Sequence, residues 1–173
     1  MSAFAERIPI GRIRDGERLD ITADEEERAA IAERLGLPRL ERFEAHVVLT
    51  REESDRVRAS GRIRAVLEQS CVATGDPVPG HVDADFDLLF MPEPVTEADE
   101  EIELSEEECD VAFHDGVNID LGEALADTLA LSVDPYPRSA NAEEALRQAG
   151  VLTEEQAGPF AALAKLKGVQ KEP

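Results

Sequence analysis

Two cysteines, Cys71 and Cys109, and three histidines, His46, His81 and His114, are the side chains of this 173-residue chain best suited to nucleophilic or metal chemistry. A composite zinc site of Cys71, His81, Cys109 and His114 would have acceptable ligand types, yet its spacings match none of the common zinc modules. Cysteine catalysis would need Cys71 beside one of the histidines, and nothing in the sequence brings such a pair together or lowers the thiol pKa. A single cysteine at a strand end also suits a small core residue. Asp83, Asp85 and Asp87 imitate the opening of a calcium loop, but Leu88 stands where the sixth-position Gly is needed and Pro94 where the twelfth-position Glu is needed. No phosphate-cradling glycine pattern occurs. Carboxylates are too abundant for any pair to stand out as acid and base. The residues point to a binding protein rather than an enzyme, with no catalytic residue, no metal and no cofactor.

Charge gives the stronger signal. Residues 1–64 carry 13 basic and 14 acidic side chains, residues 138–173 carry five of each, and residues 65–137 carry 20 acidic side chains with no Lys or Arg. The whole excess of the net −21 therefore sits in the middle of the chain. Such a field repels phosphate backbones and attracts basic partners, a class that includes ribosomal proteins and basic peptide tails, as well as loosely held metal ions. A solubilising, partly disordered surface is the other reading of the same composition. With one Tyr, six Phe and no Trp, the core must be mostly aliphatic. There is no apolar run of membrane-spanning length and no leader-like start, and the cysteines form no close pair, so a reducing, cytoplasmic setting is expected.

The elements that position these residues read as follows. Ile8 and Ile10 around Pro9 suggest a short edge strand. Asp15-Gly16 is a turn before a strand at Leu19 and Ile21, and Thr22 with Glu25 forms a capping box for a helix that ends at Gly36. Phe43, Ala45, Val47 and Leu49 alternate with polar residues as one buried strand face. The next strand puts Val57, Ala59, Gly61, Ile63, Ala65 and Leu67 on one face and Arg56, Arg58, Arg62 and Arg64 on the other. Those arginines read either as a ribbon for RNA or as cross-strand partners of Asp83, Asp85 and Asp87, if the strand from His81 to Phe90 folds back across Thr74-Gly75-Asp76-Pro77. An acidic segment from Glu93 to Asp110 reads as a loop. Val111, Phe113, Val117 and Ile119 lead into a helix.

That helix, about Leu121 to Ser132, opens on a capping-box pattern of Asp120 with Glu123 and carries Leu121, Ala124, Leu125, Thr128 and Leu129 on one face. Pro135 and Pro137 stop it and fix Asp134, Pro135, Tyr136, Pro137 and Arg138 as a rigid turn of mixed chemistry. Asn141 with Glu144 caps a short helix ending near Gly150. Phe160, Leu163 and Leu166, flanked by Lys165 and Lys167, form an amphipathic tail that either docks on its own domain or enters a partner's groove. The expected fold class is α+β: a curved antiparallel sheet of hairpins with two or more packed helices and an acidic loop at about 92–110. Residues 1–150 make one domain and residues 151–173 a C-terminal tail.

The run from Ile119 to Glu123 leading to Asp134-Pro135-Tyr136-Pro137-Arg138 resembles the later half of the YceD-like family, bacterial proteins linked to accumulation of large-subunit ribosomal RNA. Cys71 at the end of a long strand before a Pro-containing turn, and Pro159-Phe160 with Leu163, Leu166 and Lys167, match the family in the same order. The resemblance implies a non-catalytic factor in large ribosomal subunit biogenesis. Members of the family often carry Cys-x-x-Cys after the long strand and further cysteines after the Asp-Pro turn. Here Thr74 replaces the second sulfur and residues 139–142 supply none, so any metal staple in the family must be replaced by packing. With the charge pattern, the resemblance implies that the acidic middle binds a basic ribosomal protein or assembly factor, with Asp134 to Arg138 and Phe160, Leu163 and Leu166 giving specificity. Two alternatives remain: direct rRNA binding through Arg56, Arg58, Arg62 and Arg64, or a thiol or metal enzyme using Cys71.

Overall fold

The computed structural model describes residues 7–52, 55–93 and 110–151. The segment 94–109, the second cysteine Cys109, and the tail residues Phe160, Leu163 and Leu166 lie outside them. The fold is α+β, with a five-stranded sheet, a two-stranded sheet and three α-helices among the described residues. The chain divides into two compact units, Met1–Gln69 with Pro79–Pro135, and Ser70–Val78 with Tyr136–Pro173.

In the larger unit, strand β1 (Ile8–Pro9) pairs antiparallel with β7 (Asn118–Ile119). Pro9 lies in this two-residue ladder, as its missing N–H requires. The main sheet has the order β2-β3-β4-β5-β6, built from β2 (Glu17–Thr22), β3 (Arg39–Arg51), β4 (Val57–Ser70), β5 (Pro77–Pro92) and β6 (Val111–His114). Alternation sets its inner face. Phe43, Ala45, Val47 and Leu49 on β3, and Val57, Ala59, Ile63, Ala65 and Leu67 on β4, are all buried. Each large aliphatic or Phe side chain so enclosed contributes ~1.5–3 kcal/mol of transfer free energy. A register shift between Leu40 and Arg42 keeps Leu40 and Phe43 both inside despite their odd spacing.

Helix α1 (Glu25–Leu35) starts two residues later than the Thr22–Glu25 pattern suggests. Asp24 is its N-cap: its carboxylate accepts the Glu27 N–H at 2.9 Å, and Glu27 reaches back to the Asp24 N–H at 2.8 Å. Thr22 is unavailable because its backbone is still in the ladder opposite Glu44. Gly36 ends the helix in the left-handed region (φ +64°) as expected. Helix α2 (Leu121–Ser132) buries Leu121, Ala124, Leu125, Ala126 and Leu129. Only half of its capping box forms. Asp120 accepts the Glu123 N–H at 3.0 Å, and its other carboxylate oxygen lies 3.5 Å from Arg7.

The expectation of an antiparallel sheet fails at one edge, where β6 runs parallel to β5, with Leu89 opposite Val111 and Met91 opposite Phe113. Parallel neighbours cannot be joined by a tight hairpin and need a connection of a dozen or more residues. The chain between Pro92 and Val111, which is the acidic segment, provides that length. On β6 Phe113 is exposed and His114 is buried.

Candidate functional site

Two features carry the chemistry singled out from the sequence, a charged ladder on the outer sheet face and a polar knot around Cys71. The ladder follows from period-two alternation, which turns Arg58, Arg62 and Arg64 of β4 and Asp83, Asp85 and Asp87 of β5 to the face opposite the core. Arg62 grips Asp85 with two bonds, Nε–Oδ1 at 2.7 Å and Nη2–Oδ2 at 3.0 Å, and lies 3.3 Å from Asp83. Arg58 bonds Glu52 at 2.7 Å and Asp87 at 3.1 Å, and Arg64 lies 3.5 Å from Asp83. Hydrogen bonding from Arg62 holds the Asp85 carboxyl below its ordinary range, and the same contacts raise the pKa values of Arg62 and Arg58 further. Toward β3 the row continues, since His46 stands opposite Arg62 in the register and its Nδ1 meets Asp20 on β2 at 2.5 Å. Gly61 permits this approach of strands: a Cβ there would lie 1.9 Å from the His46 carbonyl oxygen.

The knot belongs to the smaller unit. Residues 71–76 form a tight turn in which the Cys71 N–H donates to the Asp76 carbonyl and the Gly75 N–H to the Cys71 carbonyl, both at 2.8 Å, with Gly75 at φ +76°. Val72 N–H donates to the Pro137 carbonyl at 2.9 Å, joining this turn to residues 136–142. Side chains then interlock. Thr74 Oγ1 donates to the Asp76 carboxylate at 2.7 Å and lies 3.2 Å from Ser139 Oγ, while Ser139 Oγ lies 2.7 Å from Asn141 Oδ1 and 3.4 Å from Asp76. Bonds from Thr74, then Asn141 and Ser139, keep the Asp76 carboxyl below its ordinary range. Hydrogen bonds from the Ser139 side chain and backbone, then the Thr74 hydroxyl and the Ala73 amide, pull the buried Cys71 thiol down to about 6.

The histidines do not join Cys71 as a catalytic pair. Its partners are hydroxyls and amides. His114 Nε2 meets the Asp55 carbonyl, His46 meets Asp20, and His81 lines a shallow groove with Arg42, Glu44, Arg64 and Asp83. Among the described residues no group of three or more His, Cys, Asp or Glu side chains could hold a metal ion. Thr74 carries a hydroxyl where the resemblance would put a second sulfur, the stretch 139–142 holds no cysteine, and a hydroxyl is a poor zinc donor.

Sequence reasoning missed Asp76 and Asn141 as members of the knot. Asn141 stands at the N-cap of α3 (Ala142–Gln148), where a capping role is the natural expectation, but its side chain makes no cap bond and takes the Ser139 hydroxyl instead. The spacing Thr74-x-Asp76 and Ser139-x-Asn141 is the available signal, since side chains two residues apart in turns commonly bond each other or the intervening backbone. In the rigid turn, Pro137 is buried, Tyr136 is 72% exposed, and the Asp134 carbonyl accepts a 2.7 Å bond from Gln69 Nε2.

No helix of the described residues is long and apolar enough to cross a membrane. Neither a curated protein nor a solved structure matches the chain. Residues 59–167, more than half of the sequence, match the family described as Large ribosomal RNA subunit accumulation protein YceD, and they include the long β4 strand, the Cys71 turn, α2 and the Asp134–Arg138 turn. This chain belongs to the YceD family, whose name ties it to accumulation of large-subunit ribosomal RNA.

Proposed function

We propose that this protein is a non-catalytic, cytoplasmic factor in large ribosomal subunit biogenesis whose acidic middle captures a basic ribosomal protein or assembly factor. The observation that carries the reading is the segregation of 20 acidic side chains and no basic ones into residues 65–137. Asp83, Asp85 and Asp87 are engaged by Arg58, Arg62 and Arg64. The connection from Glu93 to Asp110 holds ten further acidic residues. So dense a run of like charge attracts a basic tail. Exposed Tyr136 beside Arg138 in the rigid turn offers an aromatic anchor of low conformational cost, so the turn 134–138 supplies specificity while the acidic connection supplies attraction. Phe160, Leu163 and Leu166 remain a second contact in this proposal.

Direct rRNA binding through the arginine face has less support, because three of its four arginines are spent on carboxylates of the same face. The decisive experiment replaces residues 93–110 by a neutral linker in cells lacking the gene. Large-subunit rRNA relative to small-subunit rRNA should fall as in the deletion strain, and pull-downs should lose a basic ribosomal protein. Normal rRNA ratios and undiminished capture would overturn the reading.

A further inference from the structure

We propose that this chain closes its Cys71 turn onto residues 136–142 without a metal, through a hydrogen-bonded latch in which Asp76 and Asn141 organise the hydroxyls of Thr74 and Ser139. The resemblance would put a pair of thiols at residues 71 and 74 and further ones after the Asp-Pro turn; here those places hold Cys71, Thr74 and a stretch 139–142 without cysteine. Were the two hydroxyls serving a metal, their oxygens would converge on an ion and their protons would turn away from it. Instead Thr74 Oγ1 donates to the Asp76 carboxylate at 2.7 Å and Ser139 Oγ donates to Asn141 Oδ1 at 2.7 Å, so both hydroxyl protons are held by acceptors of the protein. That is the spacing of donors and acceptors satisfying one another.

Two further observations point the same way. Asn141 leaves the start of α3 without a side-chain cap: it accepts from Ser139 within its own segment and bonds Asp76 across to the 71–76 turn. Ala142, in the stretch after the Asp-Pro turn, is buried and brings no polar atom needing a partner. Among the described residues, no buried side-chain nitrogen or oxygen lacks a hydrogen bond. The turn is thus complete with its own atoms. Its centre is a carboxylate, and bonds to an ionised acceptor are the stronger kind, as suits a substitute for a metal tie.

The test is independent of any ribosomal role. The full-length chain is purified from cells grown with added zinc, its metal content is measured after acid release, and thermal melts are compared with and without a strong chelator. Thr74→Val, Ser139→Ala and Thr74→Ser are melted alongside. The latch predicts substoichiometric zinc, a melting temperature indifferent to chelator, a clear fall for Thr74→Val or Ser139→Ala, and near-complete retention in Thr74→Ser. A Thr74→Val protein that fails to fold while Thr74→Ser folds free of metal supports it equally. About one zinc per chain, stripped by chelator with a drop in melting temperature and absent from Cys71→Ser, overturns the proposal. So does a melting temperature unchanged in both Thr74→Val and Ser139→Ala.

Discussion

The Nε2–H of buried His114 on β6 donates to the backbone carbonyl of Asp55 at 2.9 Å, while its Nδ1 accepts the Gly116 N–H at 3.0 Å. The two bonds fix one tautomer and tie the edge strand to the β3–β4 connection, where Asp55 holds a left-handed φ of +59°. A buried imidazole used on both nitrogens is a structural fastener, so His114→Leu strands a carbonyl and an amide. Both partners belong to exposed residues that water can reach, so the expected cost is the ~0.5–1.5 kcal/mol net worth of each lost hydrogen bond. Urea unfolding of the variant checks it; a midpoint equal to wild type would refute the role.

Gly61 and Gly11 form a matched pair for substitution. A Cβ at Gly61 would meet the His46 carbonyl oxygen at 1.9 Å, with the other nearest atoms also backbone of His46 and Val47 and nothing flexible to yield, whereas Gly11 has open space around it. Gly61→Ala should destabilise by at least the ~1–3 kcal/mol typical of overpacking, and Gly11→Ala should change little. Comparative melts of the two variants decide the point.

Solvent screens the Arg62–Asp85 pair, and both side chains are well exposed. A double-mutant cycle with Arg62→Ala and Asp85→Ala should give a small coupling that shrinks as salt is added. Replacing Arg58, Arg62 and Arg64 together should leave large-subunit rRNA levels close to normal. A collapse of those levels with the fold intact would favour the RNA reading.

For Cys71 the thiol is held down to about 6 from 9.0 by Ser139, Thr74 and the Ala73 amide. A folded-state pKa below the unfolded one stabilises through the extra proton that the unfolded chain keeps, so the contribution is full above the unfolded value and is lost as pH falls through the folded value. The stability advantage of wild type over Cys71→Ala should therefore grow between pH 6 and pH 9. Parallel denaturation curves at the two ends of this window measure it, and a constant difference would contradict it.

Legibility in the sequence tracked the range of the interaction that decided each feature. The strands β3 and β4, the helix α2 and its Asp120 cap, the Gly36 stop and the opposition of Arg58, Arg62 and Arg64 to the Asp83–Asp87 run follow from alternation, helical spacing and short-range turn chemistry, all of which act within a few residues or across one hairpin. Charge segregation needed only counting. The cap of α1 slipped from Thr22 to Asp24 because strand pairing held Thr22, a competition that local patterns do not register.

Tertiary structure alone decided the rest. Whether β6 lies parallel to β5 depends on what a long connection permits, and no residue pattern near Val111 encodes it. Nor does a local pattern say that polar His114 is buried and apolar Phe113 exposed, since the imidazole is held by a carbonyl 59 residues away. The latch is the clearest case: Thr74 and Ser139 are 65 residues apart. Only when the chain folds do the two hydroxyls, Asp76 and Asn141 satisfy one another, since hydrogen bonds are specified by geometry within about 3 Å and not by sequence distance.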